Sequence, residues 1–528
     1  MIKAIRLGNL RGIKDSGRIE FRRINIIVGR NSAGKSTLLR VLPLLRQSVE
    51  QRTKGPILWY GRLVDFGSFQ NAAKRSSSGQ IRFEFDVTVQ LDRLTSRGSL
   101  PLFGVKGRKQ TSRLETKVEL CLGDGAADDV GRYQRITLKI GGDSAVLDFS
   151  GGRVSGVTIN GELVKLQADQ SWYSFEGRLI PSLYVLREEK IYDSDGEEDS
   201  NVSFEDAPFE DWFDEPLAML GLDSLSDERA VGAIASIPYA ASEDYFRSLK
   251  SVVDLPQSAV ETLASQGPDG PVPTALRVAA LLNSLHGILQ AADTSISNFA
   301  FGVRYIEPLR ATAERYYRLQ DLAVDEIDSR GGNVAMFLNS LQFSEKLELG
   351  RWMRKHFGFE VQVSPGVGHV EVKIAPEKGD PTNIADLGFG YSQILPIALQ
   401  LWRALVSRGR TSVTPGLVPI IAVEQPELHL HPQYQALLAD VLAAAINENR
   451  HGEGMVFAET HSEHLVNRLG ELVSEKVISP NDVQVIVIDR NEAGETCVKC
   501  VDYSAAGFLG QDWPVGFFVP RSKNALMD

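Results

Sequence analysis

An α/β protein with a mostly parallel, helix-covered sheet is the fold class that this sequence predicts, and three observations predict it. The apolar run Ile24-Asn25-Ile26-Ile27-Val28 leads straight into Gly29-Arg30-Asn31-Ser32-Ala33-Gly34-Lys35-Ser36, a G-x-x-x-x-G-K-[ST] loop, and a helical stretch leads out. From residue 370 onward, strand patterns near 370–374, 418–423, 455–458 and 483–488 alternate with helical patterns over 392–406, 432–446 and 462–474. The run at 418–423 is continuously apolar, as expected of a strand buried on both faces.

Taken in order, residues 1–28 read as two strands joined by the turn Leu10-Arg11-Gly12-Ile13-Lys14-Asp15-Ser16-Gly17. Helix 35–48 follows, with leucines at 38, 39, 42, 44 and 45 and Pro43 placed to bend it. Residues 80–167 change character: Ile81-Arg82-Phe83-Glu84-Phe85-Asp86-Val87 alternates, as do stretches near 114–122, 133–140 and 154–160, which predicts an antiparallel meander. Residues 188–215 carry Glu188-Glu189 and Asp193-Ser194-Asp195-Gly196-Glu197-Glu198-Asp199, read as a solvated acidic loop. A nuclease Mg²⁺ site is the competing reading, but no apolar strand is evident to position those carboxylates. Helical patterns over 215–295 and 311–357, broken at Gly331-Gly332, lack sustained coiled-coil heptads. The expected organisation is 1–79 and 301–475 as two halves of one head, 80–187 as a β-rich insertion, 188–300 as an acidic loop with a helical insertion, and 476–528 as a small C-terminal domain.

At 528 residues the chain exceeds one ordinary domain. Its 43% hydrophobic and 24% charged residues place it among water-soluble globular chains. No membrane partner is expected, because no apolar run approaches the roughly 18 residues that a spanning helix needs. The strand-like Met1-Ile2-Lys3-Ala4-Ile5-Arg6 is unlike a signal peptide, and three cysteines make no disulfide framework, so a reducing cytoplasm is expected. A net charge of −11 argues against coating nucleic acid by bulk electrostatics, though not against a local basic groove.

The glycine-rich loop is a phosphate cradle: backbone N–H groups and a helix N-terminus favour anions, Lys35 reaches terminal phosphates, and the Ser36 hydroxyl holds Mg²⁺. Residues Gly29, Arg30, Asn31, Ser32, Ala33, Gly34, Lys35, Ser36 and Thr37 are therefore the candidate ATP-binding set. Such a loop needs a carboxylate at the end of a neighbouring buried strand. Ile420-Ile421-Ala422-Val423-Glu424-Gln425-Pro426-Glu427 supplies it far downstream, with Glu424 beside the metal. Another strand ends in Glu459-Thr460-His461-Ser462, where His461 can donate a hydrogen bond to a terminal phosphate.

Upstream lies a glycine-rich turn opening a helix, Asp386-Leu387-Gly388-Phe389-Gly390-Tyr391-Ser392-Gln393. The order of P-loop, Ser-Gln turn, Glu-x-Pro-Glu-x-His-x-His-Pro and Thr-His-Ser resembles ABC-type ATPases of the overcoming-lysogenization-defect and RecF-like group. The likeness covers roughly residues 1–50 and 300–475, and Tyr305-Ile306-Glu307-Pro308-Leu309-Arg310 also looks like a motif of that group. Trp513-Pro514-Val515-Gly516-Phe517-Phe518 resembles the C-terminal domain of a subset found beside anti-phage systems, including Septu-type and retron-associated ATPases.

The resemblance implies an ABC-type head in which Gly388, Gly390 and Ser392 contact the nucleotide of a second subunit, so that ATP joins a homodimer or higher oligomer. It also implies a sensor glutamine at Gln47 or Gln70, with the two left open. One residue departs from the pattern. Where many relatives place the glutamate that activates water, this chain has Gln425, which orients water but accepts no proton. Hydrolysis is then slow, with ATP serving as a clamp, or Glu427 takes over the role. The implied function is a sensor or scaffold ATPase controlling a separate effector, an HNH or Toprim nuclease or a retron complex. The alternative is a RecF-like repair ATPase that binds DNA.

Blander readings account for the remaining motifs. The spacing of Glu427, His429, His431, His461 and His464 resembles a zinc set, but the ATPase motifs account for most of them. Cys497-Val498-Lys499-Cys500 is a single CxxC on an apparent strand. The stretch after His461 has no Asp-x-Asp, so no intrinsic Toprim nuclease is expected, and Asp489 reads as a turn residue. Lys106, Arg108, Lys109 and Arg113, and Arg351, Arg354, Lys355 and His356, are basic clusters read first as solvated faces and second as nucleic-acid contacts.

Overall fold

The computed structural model describes residues 2–74, 79–91, 112–124, 131–164, 171–175, 179–192, 198–205, 210–222, 227–320, 324–407, 417–449, 454–491, 494–510 and 513. They form two compact units: Met1–Gly8, Gln51–Leu58 and Gly67–Ser297 in one, Asn9–Glu50, Trp59–Phe66 and Asn298–Asp528 in the other.

The second unit carries the P-loop. Its elements are β1 (Ile24–Gly29), α1 (Lys35–Glu50), β2 (Val303–Ile306), α2 (Phe389–Leu401), β3 (Ile420–Glu424), α3 (Pro432–Asn447), β4 (Met455–Glu459), α4 (Glu463–Ser474), β5 (Val483–Arg490) and β6 (Thr496–Asp502). The sheet runs β2-β3-β4-β1-β5-β6. All pairings are parallel except β5 with β6. Every residue of β1, β3 and β4 is buried, which is why these strands read as apolar runs without alternation. Ile26, Val28, Ile421, Val423, Val456 and Ala458 form the centre of the core. Helix α1 runs unbroken through Pro43.

A smaller antiparallel sheet of Tyr317–Arg318, Phe359–Pro365, His369–Pro376 and Thr382–Asn383 belongs to the same unit, with helices Val334–Ser340 and Phe343–Phe357. The helical expectation for 311–357 holds only from Val334 onward. Before it, the Asp328 carboxylate accepts from the N–H groups of Arg330, Gly332 and Asn333 at 2.9–3.0 Å. Such local side-chain bonds compete with helix formation.

In the first unit, strands Ile81–Leu91, Ser112–Asp124, Gly131–Ile140, Asp143–Ser150 and Arg153–Ile159 each pair antiparallel with the next. Ser171–Phe175, Ser182–Tyr192 and Glu198–Glu205 extend the sheet. The acidic stretch is thus no simple loop: Glu188 pairs with Val202 and Glu189 with Asn201, because the strand begun by Leu183-Tyr184-Val185-Leu186 continues into them. Residues 193–197 lie outside the described residues.

Helix Pro271–Gly302 is long and apolar enough to cross a membrane by length and composition, contrary to the expectation that no run approaches that size. Its charged side chains, Arg277 and Asp293, are used inside the first unit. Arg277 pairs with Asp143, which also accepts from the Tyr239 hydroxyl at 2.7 Å, and Asp293 accepts from the Ile180 N–H at 2.9 Å. Buried, partnered charges of this kind belong to a core helix.

Candidate functional site

The P-loop is shaped by backbone constraints at two glycines. Gly34 has φ +114°, where a Cβ is strained, and a Cβ on Gly29 would stand 2.1 Å from the Ile488 carbonyl oxygen of β5. Between them Ser32 is also left-handed, at φ 60°. The C-terminal hairpin braces the loop: Arg490 donates to the Ser32 carbonyl and the Thr496 hydroxyl to the Ala33 carbonyl, both at 3.1 Å. Asp489 lies on β5, not in a turn, and pairs with Arg30 at 3.4 Å. Asn31 is exposed and Thr37 buried at the start of α1.

Lys35 is buried, and its ammonium donates to the Arg30 carbonyl at 2.9 Å. Burial lowers its pKa, against the pull of Glu459 and Glu427. The Ser36 hydroxyl donates to Glu459 Oε1 at 2.9 Å. Glu424 is one strand over, its residue paired in register with Glu459. Its carboxylate is held differently: Arg40 donates to both oxygens, at 2.6 and 2.8 Å, and the Tyr305 hydroxyl adds 2.7 Å to Oε1. Arg310 donates to the Glu424 carbonyl at 2.9 Å, and burial lowers its own pKa to about 10.

Beyond β3 the chain turns sharply. Gln425 is left-handed at φ 43°, with its N–H donating to the Glu459 carbonyl at 2.8 Å. The His461 N–H donates to Glu427 Oε1 at 2.6 Å, and burial raises the Glu427 pKa. The His461 imidazole is lowered by burial and by the charge of Lys35, which favours the neutral ring. Lys35, Ser36, Glu424, Gln425, Glu427 and His461 therefore converge on one place. His429 packs edge-on against Phe389, and His431 caps α3 by accepting from the Gln433 N–H.

Gly388 is the exposed N-cap of α2, and a Cβ there would meet nothing within 4 Å. Phe389 beside it is 46% exposed, Gly390 half-buried, and the Ser392 hydroxyl donates back to the Phe389 carbonyl at 2.7 Å. Of the two sensor-glutamine candidates, Gln47 is buried and bonds the backbone of Leu63 and Val64, while Gln70, in the first unit, bonds Asp124. In the aromatic-basic helix Trp352 is buried, Arg354 pairs with Glu360, Lys355 pairs with Glu448, and His356 lies 3.3 Å from Glu448. Trp352 therefore offers no open ring for stacking, and Arg354 and Lys355 are held in ion pairs. Arg113 is exposed on its strand, and Lys106, Arg108 and Lys109 lie outside the described residues.

Four residues of the site were absent from the sequence-level set: Arg40, Tyr305, Arg310 and Glu459. Each had a signal. Arg40 is one helical turn after Ser36, Tyr305 and Arg310 bound a motif of their own, and Glu459 ends an apolar strand as Glu424 does.

An anion carrying several charges, with a divalent cation beside it, is what such a loop and its carboxylates accommodate, and this is the chemistry of a nucleoside triphosphate. The chain carries a P-loop set among buried parallel strands, as nucleotide-binding ATPase domains do. Residues 1–91 and 324–466 match the family described as AAA ATPase domain. Among solved structures, the chain is similar to an SMC head bound to the C-winged helix domain of ScpA (10% identity, TM-score 0.34, 96% of this chain and 98% of that chain). It is similar also to the SMC head domain from Thermotoga maritima (10% identity, TM-score 0.33, 94% and 98%).

The residues fit Mg²⁺. Glu459 Oε2 is buried without a hydrogen-bond partner, and the carboxyl is pushed up to about 7, by burial first and by Glu424 second. A divalent cation next to Ser36 relieves both.

Proposed function

We propose that this chain is a slowly hydrolysing ABC-type ATPase that closes into a dimer on ATP. In this reading it is the sensor or scaffold controlling a separate effector nuclease in anti-phage defence. The observation that carries the ATP clamp is the turn at Gln425: the residue at the water-activating position is an amide, held left-handed against the strand end of Glu459. Lys35 binds terminal phosphates, Ser36 and a strand-end carboxylate hold the metal position, and neutral His461 orients a terminal phosphate oxygen. Mg²⁺, when bound, neutralises phosphate charge. With Glu427 already accepting from the His461 N–H, Gln425 orients water without taking its proton. The open Gly388 turn is the surface offered to the nucleotide of a second copy. The role in defence rests on the order of motifs and on the Trp513–Phe518 ending.

Comparing ATP turnover of wild type and Gln425→Glu tests the clamp. Slow wild-type turnover, accelerated about tenfold or more by the new carboxylate, is expected. A wild-type rate of many per second, unchanged by the substitution, overturns it.

A further inference from the structure

Two carboxylates end neighbouring strands at the P-loop, and they are in different states. Glu424 has three donors on its two oxygens, from Arg40 and Tyr305, and a fourth contact from Arg310 to its carbonyl. Both of its carboxylate oxygens are thus engaged by the protein, with three of the four lone pairs taken. Glu459 is 2% exposed, accepts one hydrogen bond, from the Ser36 hydroxyl, and leaves Oε2 buried with no partner. A buried carboxylate oxygen without a donor is costly, and in a native site it calls for a missing partner. Glu427 Oε2 is also buried without a partner, but its carboxylate accepts from the His461 N–H, whereas the Glu459 carboxylate touches the hydroxyl of Ser36, the residue expected at the metal.

We propose that Glu459, at the end of β4, is the carboxylate that holds Mg²⁺ together with Ser36, and that Glu424 is an anchored group locking α1, through Arg40, and the Tyr305–Arg310 segment to the end of β3. This assignment rests on the ATP-binding reading above and names the metal-holding residue within it. In the alternative assignment Glu424 shares Oε2 between Arg40 and the metal, or exchanges the Arg40 fork for it.

The two assignments separate by the contribution of the metal to nucleotide binding. The full chain is titrated with a fluorescent ATP analogue, once in Mg²⁺ and once in EDTA, for wild type, Glu459→Gln and Glu424→Gln. Wild type is expected to bind at least about tenfold more tightly in Mg²⁺. Glu459→Gln is expected to lose most of that gain while keeping its affinity in EDTA, which also reports an intact fold. Mn²⁺ replacing Mg²⁺ gives a second readout, since its paramagnetic spectrum changes on binding wild type with ATP and does not on binding Glu459→Gln. Should Glu459→Gln not fold, Glu459→Asp keeps the charge and is expected to retain part of the gain. A full Mg²⁺ gain in Glu459→Gln, with loss in Glu424→Gln, overturns the assignment. Absence of wild-type binding in both buffers fails the ATP reading itself.

Discussion

Glu424 and Glu459 differ less in position than in partners, and partners decide what each can do. Removing Arg40 leaves the Glu424 carboxylate, 3% exposed, with Tyr305 as its remaining side-chain donor. Stripping a partner from a fully buried pair costs about 3–5 kcal/mol, and Arg40 is itself a third open to water, so Arg40→Ala is expected to cost about 2 kcal/mol in urea unfolding. Glu459 adds a pH dependence of defined sign. Its folded pKa of about 7 lies above the ordinary 4.5, so the folded state holds the proton more tightly. In EDTA the stability from this group is full below about 4.5 and is lost as pH rises through about 7. Urea melts at about pH 5 and about pH 8 are expected to show a smaller difference in Glu459→Gln than in wild type; an equal difference removes Glu459 as the cause.

At the scale of elements, the P-loop is held between β1, α1 and the β5–β6 hairpin. The close approach of Gly29 to β5 is backbone against backbone, so no side chain can rotate away from an added methyl. Gly29→Ala is therefore expected to destabilise by at least about 3 kcal/mol, read as a lowered thermal midpoint with or without nucleotide. A melt indistinguishable from wild type would show that the loop has more room than its geometry gives it.

For the whole molecule, nucleotide binding and assembly are separable on this reading. Lys35→Ala removes the phosphate contact and is expected to abolish ATP binding and ATP-dependent dimerisation together. Gly388→Glu places a charge where the single chain has open space, so ATP binding should survive while light scattering reports monomers in ATP. Dimers of unchanged affinity in Gly388→Glu would remove the exposed turn from the interface. Co-purification of a nuclease or of a reverse transcriptase with its product supports the defence role, whereas salt-dependent DNA binding by the isolated chain supports repair.

The sequence by itself determined the P-loop, the parallel strands around it and the strand-end Glu424, because apolar runs and glycine spacing are local consequences of burial and close backbone approach. It also exposed the Gln425 departure, since a one-residue change in a short motif is visible without coordinates. Only the tertiary structure decided which acid meets Ser36. Arg40, Tyr305, Arg310 and Glu424 are far apart in the chain, with 384 positions between the first and the last, and nothing local marks them as one hydrogen-bonded group. Likewise the residues before Val334 looked helical until Asp328 claimed the backbone N–H groups, and the acidic stretch looked like a loop until strand pairing took it up. Side-chain competition for backbone donors and long-range strand pairing depend on partners that a linear pattern does not contain.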